Sequence, residues 1–158
     1  MANKQAYTIK QGEALAKQYC VEQERCQKEV FSKLISWGMN FDEADQVIAS
    51  LISEGFINEQ RYAKIYAKSK FNQNKWGRIK IRYSLKQKGI SGNCIETGLK
   101  EIDQKDYNKL CKALALKKLN SLRAEKILSK KQKTIAFLNS KGFEFEVINN
   151  ILEEILNE

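Results

Sequence analysis

Leu34-Ile35-Ser36-Trp37-Gly38-Met39 returns, with its outline kept, as Leu85-Lys86-Gln87-Lys88-Gly89-Ile90 and again as Leu138-Asn139-Ser140-Lys141-Gly142-Phe143. The glycines lie 51 and 53 residues apart. Each is preceded at four positions by Leu and followed at once by Met, Ile or Phe. Six positions after them stand Ala44, Ile95 and Ile148, ten after stand Ile48, Leu99 and Leu152, and thirteen after stand Leu51, Ile102 and Ile155. Five apolar columns held in register across three copies mark an internal repeat. A glycine just past an apolar helical stripe is the residue that can turn left-handed and close the helix. The repeat therefore reads as a three-helix unit whose glycine turns the second helix into the third.

Working outward, the spacing predicts an all-α chain of three tandem three-helix repeats: 1–57 with an N-terminal tail at 1–9, a second, basic repeat at 58–103, and a third at 104–158. A unit of this size is small for independent stability, so neighbours are expected to stack into an elongated, curved body. Composition agrees with the class. The 158 residues include no Pro and only eight Gly, and the long windows are rich in Ala, Leu, Lys, Glu and Gln, the better helix formers. The predicted helices cover about 11–22, 27–37, 42–53, 58–71, 76–88, 91–102, 103–120, 123–140 and 144–156. Asn58, Ser91 and Asp103 serve as caps. Asn72-Gln73-Asn74 is expected to break the fourth helix, and Ile79, Tyr83 and Leu85 to form the buried side of the fifth.

Charge is unevenly spread. Residues 1–60 carry six basic and nine acidic side chains, residues 61–133 carry 21 and five, and residues 134–158 carry one and five. The middle thus holds the whole excess behind the net +9, which points to a polyanionic partner. From Gln60 to Ile95 there are ten basic residues and no acidic one: Arg61, Lys64, Lys68, Lys70, Lys75, Arg78, Lys80, Arg82, Lys86 and Lys88. Arg61, Lys64 and Lys68 share one helix face, and Arg78, Arg82 and Lys86 form a second ridge. Like charges at such spacings repel, so a chain needing only solubility would intersperse Glu. These ten are the candidate partner-binding residues. A second run (Lys109, Lys112, Lys117, Lys118, Arg123, Lys126, Lys130, Lys131 and Lys133, against Glu125) is looser and reads equally well as a solvated face. Tyr62, Tyr66, Trp76 and Tyr83 read as packing rather than as base-stacking platforms.

Catalysis finds no support. The chain has no His, the commonest general base and metal ligand, and no phosphate-binding glycine loop or nucleophile elbow. Cys20, Cys26, Cys94 and Cys111 lack the spacing of a zinc framework. They read as reduced thiols, with a Cys20–Cys26 bridge as the alternative. No catalytic residue, metal or cofactor is expected. Met1–Gly12 is polar, without a signal-type apolar stretch, and no run is long enough to span a bilayer. The expectation is a soluble, cytoplasmic protein without membrane contact.

The run Leu51-x-x-x-Gly55-Phe56-Ile57-Asn58-x-x-Arg61-Tyr62-Ala63, followed by Trp76-Gly77-Arg78-Ile79 and Leu85-x-x-Lys88-Gly89-Ile90, resembles the central signature of the RecX family. Arg25-Cys26-x-x-Glu29-Val30-x-x-Lys33-Leu34 is similar to that family's opening motif, with Cys26 where a capping Ser is usual. The resemblance is specific from about Arg25 to Ile90 and weaker beyond. It implies a crescent of three-helix repeats lying in the groove of a RecA–DNA filament, and restraint of RecA's ATPase, strand exchange and filament growth. The implied partners are RecA, its nucleoprotein filament and single- or double-stranded DNA bound with low sequence specificity; a monomer is the expectation, although the sequence itself gives no oligomeric state. It places Arg78, Lys88 and Asn58 at motif positions, and Gly38, Gly55, Gly77, Gly89 and Gly142 at structural turns. The rival reading is an autonomous DNA-binding module with helix-turn-helix-like units; a third is a helical scaffold for an acidic protein. The rival needs base-reading side chains at the start of each third helix. Asp42-Glu43 and Glu144 stand there instead in two of the three.

Overall fold

Gly38, Gly89 and Gly142 all adopt the left-handed conformation, with φ of 92°, 78° and 96°. The hydrogen bonds around them are the same three times over. The amide of the glycine donates to the carbonyl three residues back (Ile35, Lys86, Asn139), and the next amide donates to the carbonyl of Leu34, Leu85 or Leu138 at 3.2 Å. This is the Schellman termination, in which the residue after the glycine packs on the leucine whose carbonyl it reaches. Two of the sequence columns are thereby explained, since they are the two ends of that contact. Leu34, Leu85, Leu138 and Phe143 are fully buried, and Met39 and Ile90 nearly so.

The structure is a computed structural model that describes residues 7–157. Among them are nine helices and no strand: α1 (Ile9–Glu22), α2 (Gln27–Ser36), α3 (Phe41–Ser53), α4 (Glu59–Asn74), α5 (Arg78–Gln87), α6 (Gly92–Leu99), α7 (Gln104–Ser121), α8 (Ile127–Ser140) and α9 (Phe145–Leu156). The expected tail at 1–9 falls mostly outside the described residues, and α1 already begins at Ile9. No described helix is long and apolar enough to cross a membrane.

Local chemistry sets the starts. Thr8 and Gln11 form a reciprocal capping box on α1, as Asn40 and Glu43 do on α3. Such boxes satisfy two amide donors that the first turn leaves open. Asn58, Ser91 and Asp103 accept from the amides of Arg61, Cys94 and Asp106, as their sequence positions predict.

The chain divides into two compact units. One holds the described residues up to Ile65 with Leu85–Thr97; the other holds Tyr66–Ser84 with the residues from Gly98 onward. In the first, α1, α2 and α3 enclose a core of Ala16, Cys20, Val30, Leu34, Met39, Ala44, Val47, Ile48, Leu51 and Ile57. In the second, α7, α8 and α9 pack on one another around Tyr107, Cys111, Ala115, Leu138, Phe143, Ile148 and Leu152, all fully buried. Of the fifteen residues in the five sequence columns, all but Ile155 are buried.

Three expectations are corrected. Asn72-Gln73-Asn74 does not break α4, which runs through it to Asn74. The helix stops at Lys75, whose φ of 61° puts a non-glycine residue in the left-handed region. The buried residues of α5 are Ile81 and Leu85, whereas Ile79 and Tyr83 are exposed. Finally, α8 starts at Ile127 rather than Arg123, because the chain needs the intervening residues to reverse between α7 and α8.

Candidate functional site

The ten basic residues of the central segment separate by what each side chain touches. Three are held inside their own unit. Arg61 donates from Nε to Glu24 Oε1 at 3.0 Å, and its Nη2 reaches the carbonyls of Gly55 and Phe56 at 3.0 and 3.3 Å. It therefore clamps the turn between α3 and α4. Lys88 donates to Glu29 Oε1 at 3.1 Å, and the same oxygen accepts from the Tyr62 hydroxyl at 3.0 Å. The other oxygen of Glu29 accepts the Cys26 amide. One carboxylate thus caps α2 and ties it to α4 and to the end of α5.

Arg78 plays the matching part in the second unit. Its guanidinium lies 3.8 Å from the centre of the Tyr107 ring, its Nη1 reaches Glu144 Oε2 at 3.3 Å, and its Nη2 donates to Gln104 at 2.9 Å. Tyr107 in turn donates to Glu144 and accepts the Arg78 amide. The hydroxyl is buried and faces a carboxylate, so its pKa rises far above the ordinary tyrosine value, burial being the larger cause. A charge stacked on a ring and paired with a carboxylate is a brace. The predicted Arg78, Arg82, Lys86 ridge loses its first member, since only 18% of the Arg78 side chain is exposed.

The remaining basic residues are differently disposed. In the second unit the corner between α4 and α5 is a lysine-rich surface. Lys70 and Lys80 stand 5.1 and 4.7 Å from the centre of the half-buried Trp76 ring. Lys75 is exposed beside them in sequence and donates to the carbonyl of Asn72. Lys68 pairs loosely with Glu101 at 3.5 Å, and Arg82 is half-buried. In the first unit Lys64 is half-buried and Lys86 exposed, in the last turn of α5. The segment therefore mixes braces with solvent-facing cations, and charge counting alone does not separate them. The partners Glu24, Glu29, Tyr107 and Glu144 are residues to which sequence reading assigned no such contacts. The signal for Glu29 was present, since it lies in the opening motif three residues after the α2 cap.

Gly77 has a structural role other than a turn. Its amide donates to the carbonyl of Lys141 at 2.7 Å, and the Ile79 amide donates to Gly142 at 2.9 Å. A Cβ at Gly77 would sit 2.4 Å from the backbone of Gly142 and Phe143. This backbone crossing carries α5 past the α8–α9 turn and sets Arg78 against Glu144.

Among the described residues, no group of three or more His, Cys, Asp and Glu side chains is placed to hold a metal. The four cysteines are free thiols, so the Cys20–Cys26 bridge does not form. Burial raises the thiol pKa of Cys20 and Cys26, and pushes Cys111 up to about 12.

Comparison with known proteins places this architecture. The family model described as "RecX, second three-helix domain" matches residues 58–99, and "RecX, third three-helix domain" matches residues 105–152. The chain belongs to the RecX family. It is 36% identical over 135 residues to the regulatory protein RecX of Clostridium botulinum (strain Eklund 17B / Type B), covering 84% of this chain and 63% of that one. To the regulatory protein RecX of Chlorobaculum tepidum it is 33% identical over 130 residues, covering 82% of this chain and 79% of that one. The crystal structure of RecX from Lactobacillus salivarius matches with a TM-score of 0.87 at 29% identity over the full length of both chains. The chain spans about 63% of the length of the Clostridium botulinum and Clostridium perfringens relatives. Within the RecX signature, Arg61, Arg78 and Lys88 are the residues that this structure ties into internal networks.

Proposed function

We propose that the chain is a regulator of the RecA recombinase, which binds RecA and RecA–DNA filaments and mainly inhibits RecA's ATPase, recombinase and filament-growth activities in DNA repair. The observation that carries this reading is family membership. The second and third RecX three-helix domains align over 58–99 and 105–152. The charge distribution supports it, because a polyanionic filament suits a chain whose central segment holds ten cations and no acid. Lys70, Lys75, Lys80 and Lys86 are the contacts this reading favours. Arg61, Arg78 and Lys88 act as braces that hold the helices presenting them. DNA, single- or double-stranded, is bound through phosphates with low sequence specificity, and the chain works as a cytoplasmic monomer of three tandem repeats at 1–57, 58–103 and 104–158. No cofactor is required.

The rival, an autonomous sequence-reading module, fares worse on the helix starts. The first turns of α3 and α9 carry Asp42, Glu43 and Glu146, which repel phosphates where a recognition helix would enter a groove. The test is a RecA ATPase assay on single-stranded DNA with and without the protein. Inhibition at substoichiometric or near-stoichiometric protein supports the proposal. An unchanged ATPase rate, with tight sequence-specific binding to bare duplex at moderate salt, would hand the function to the rival.

A further inference from the structure

The second basic run, from Lys109 to Lys133, has a structure of its own. Two of its lysines are paired: Lys112 with Glu154 at 2.8 Å and Lys133 with Glu125 at 2.6 Å. Lys117 and Lys118 instead border a groove of about 330 Å³ between α7 and α8. Leu114, Lys117, Lys118 and Ser121 line it from α7, one helix face over two turns. Phe137 and Lys141 line it from the other side. Among the described residues the lining therefore holds three lysines, two half-buried apolar side chains and no carboxylate. Glu125, whose carboxyl is held below its ordinary pKa by Lys133 and Ser129 and in smaller part by Lys118, is already bonded to the first two.

We propose that this groove docks an acidic peptide segment that carries one bulky apolar anchor. The anchor seats between Leu114 and Phe137, and flanking carboxylates meet Lys117, Lys118 and Lys141. Two features select that occupant. The rim asks for negative charge, because three lysines line a space whose lining holds no carboxylate. The floor asks for apolar surface, because Leu114 offers a phosphodiester no hydrogen bond, whereas an aromatic or aliphatic side chain would remove both Leu114 and Phe137 from water. Lys118 lies 5.3 Å from the centre of the Phe137 ring, so an anchor stacked on Phe137 brings its neighbouring carboxylate to that ammonium. Lys141 donates one hydrogen bond to the carbonyl of Asn74 and has two further donors to offer. The site shares no residue with the proposed RecA–DNA contacts, and the two readings fail separately.

The test is fluorescence anisotropy of the full chain with a labelled short synthetic peptide of Asp and Glu around a single Phe. The comparison probes are the same peptide with Phe→Ser and an oligothymidylate of matching length. Lys117→Glu with Lys118→Glu is expected to weaken peptide binding by roughly tenfold or more, as is the Phe→Ser change in the probe. Lys100→Glu with Lys105→Glu, at exposed positions outside the groove lining, should leave it unchanged. Lys117→Gln with Lys118→Gln repeats the test without charge reversal, and far-UV circular dichroism checks that each variant is folded. Peptide binding indifferent to the anchor would reduce the groove to bulk charge attraction and overturn the proposal. Loss of oligothymidylate binding in place of peptide binding would assign the groove to nucleic acid. A wild-type dimer that dissociates in the double variant, seen by sedimentation, would assign it to a second copy of the chain.

Discussion

A guanidinium that stacks on one ring and grips one carboxylate is removed from the charges a partner can use. Arg78 does both, and its backbone amide also binds the Tyr107 hydroxyl. Truncating it strands Glu144 and Tyr107 in a half-dry setting. Arg78→Met is accordingly expected to cost about 2 kcal/mol, the range for a hydrogen-bonded charge with little exposure. Lys75→Met, at an exposed position, should stay within about 0.5 kcal/mol. Urea unfolding of the two variants checks this, and equal midpoints would show that Arg78 is no brace. Thiol chemistry gives a second test at this scale. Cys20, Cys26 and Cys111 are buried with raised pKa values, while Cys94 is half exposed. A raised pKa keeps a thiol protonated and unreactive as pH climbs towards it. Native protein titrated with a thiol-specific reagent near pH 8 should therefore show Cys94 reacting first, the other three following only on unfolding. Fast modification of Cys111 would contradict the burial. Of these networks only Glu29 was marked in the sequence, by its place in the opening motif. Arg78 and Lys88 stand at motif positions, but their roles as braces emerge only when their carboxylate partners, 66 and 59 residues away, are brought to them.

At the scale of elements, the helix ends were the most legible part because each is a local event. The Leu–Gly–apolar pattern is the Schellman motif written in sequence, and the caps Asn58, Ser91 and Asp103 act within one turn. The inner face of α5 was misread for an equally local reason. Ile79, Ile81, Tyr83 and Leu85 alternate, so apolar spacing alone supports either of two helix faces. The termination chooses between them: Leu85 must lie inside to meet Ile90, so Ile81, one turn earlier, lies inside too. The same step back from Leu34 and Leu138 gives Val30 and Thr134, both fully buried. A sixth column thus existed but was hidden, since the Thr134 hydroxyl satisfies itself on the Lys130 carbonyl. The glycines separate by what surrounds them. At Gly89 a Cβ meets nothing, so Gly89→Ala carries only the left-handed cost of about 1 kcal/mol. At Gly77 the collision is with rigid backbone, and Gly77→Ala should cost about 2–3 kcal/mol. At Gly142 a φ of 96° adds to contacts of 2.4–2.6 Å with Lys80, so its replacement should cost most. Denaturant midpoints in any other order would show that the crossing at Gly77 is softer than drawn.

For the molecule as a whole, the structure changes which charges the functional test should remove. Reversing Arg78 along the apparent ridge would confound lost contact with lost packing, because Glu144 would then face a second carboxylate. Among the described residues, Lys70, Lys75 and Lys80 form no ion pair on which their unit relies. Two of them flank Trp76, where a cation–π contact contributes only about 0.5–1 kcal/mol at an exposed site. The combined change of these three to Glu is expected to leave the far-UV spectrum helical and to raise the concentration that half-inhibits RecA ATPase by roughly tenfold or more. Their combined change to Arg should preserve inhibition, since charge is kept. If phosphates are the contacts, binding to bare single-stranded DNA should also lose slope in its salt dependence, by about 0.7 per contact removed. The two readouts separate the partners. A lowered salt slope with undiminished ATPase inhibition would make these lysines DNA contacts that regulation does not need. Lost inhibition with an unchanged slope would place RecA itself against them. Full inhibition with an unchanged slope would remove the α4–α5 corner from the interface, leaving Lys86 and the remaining exposed cations to carry it.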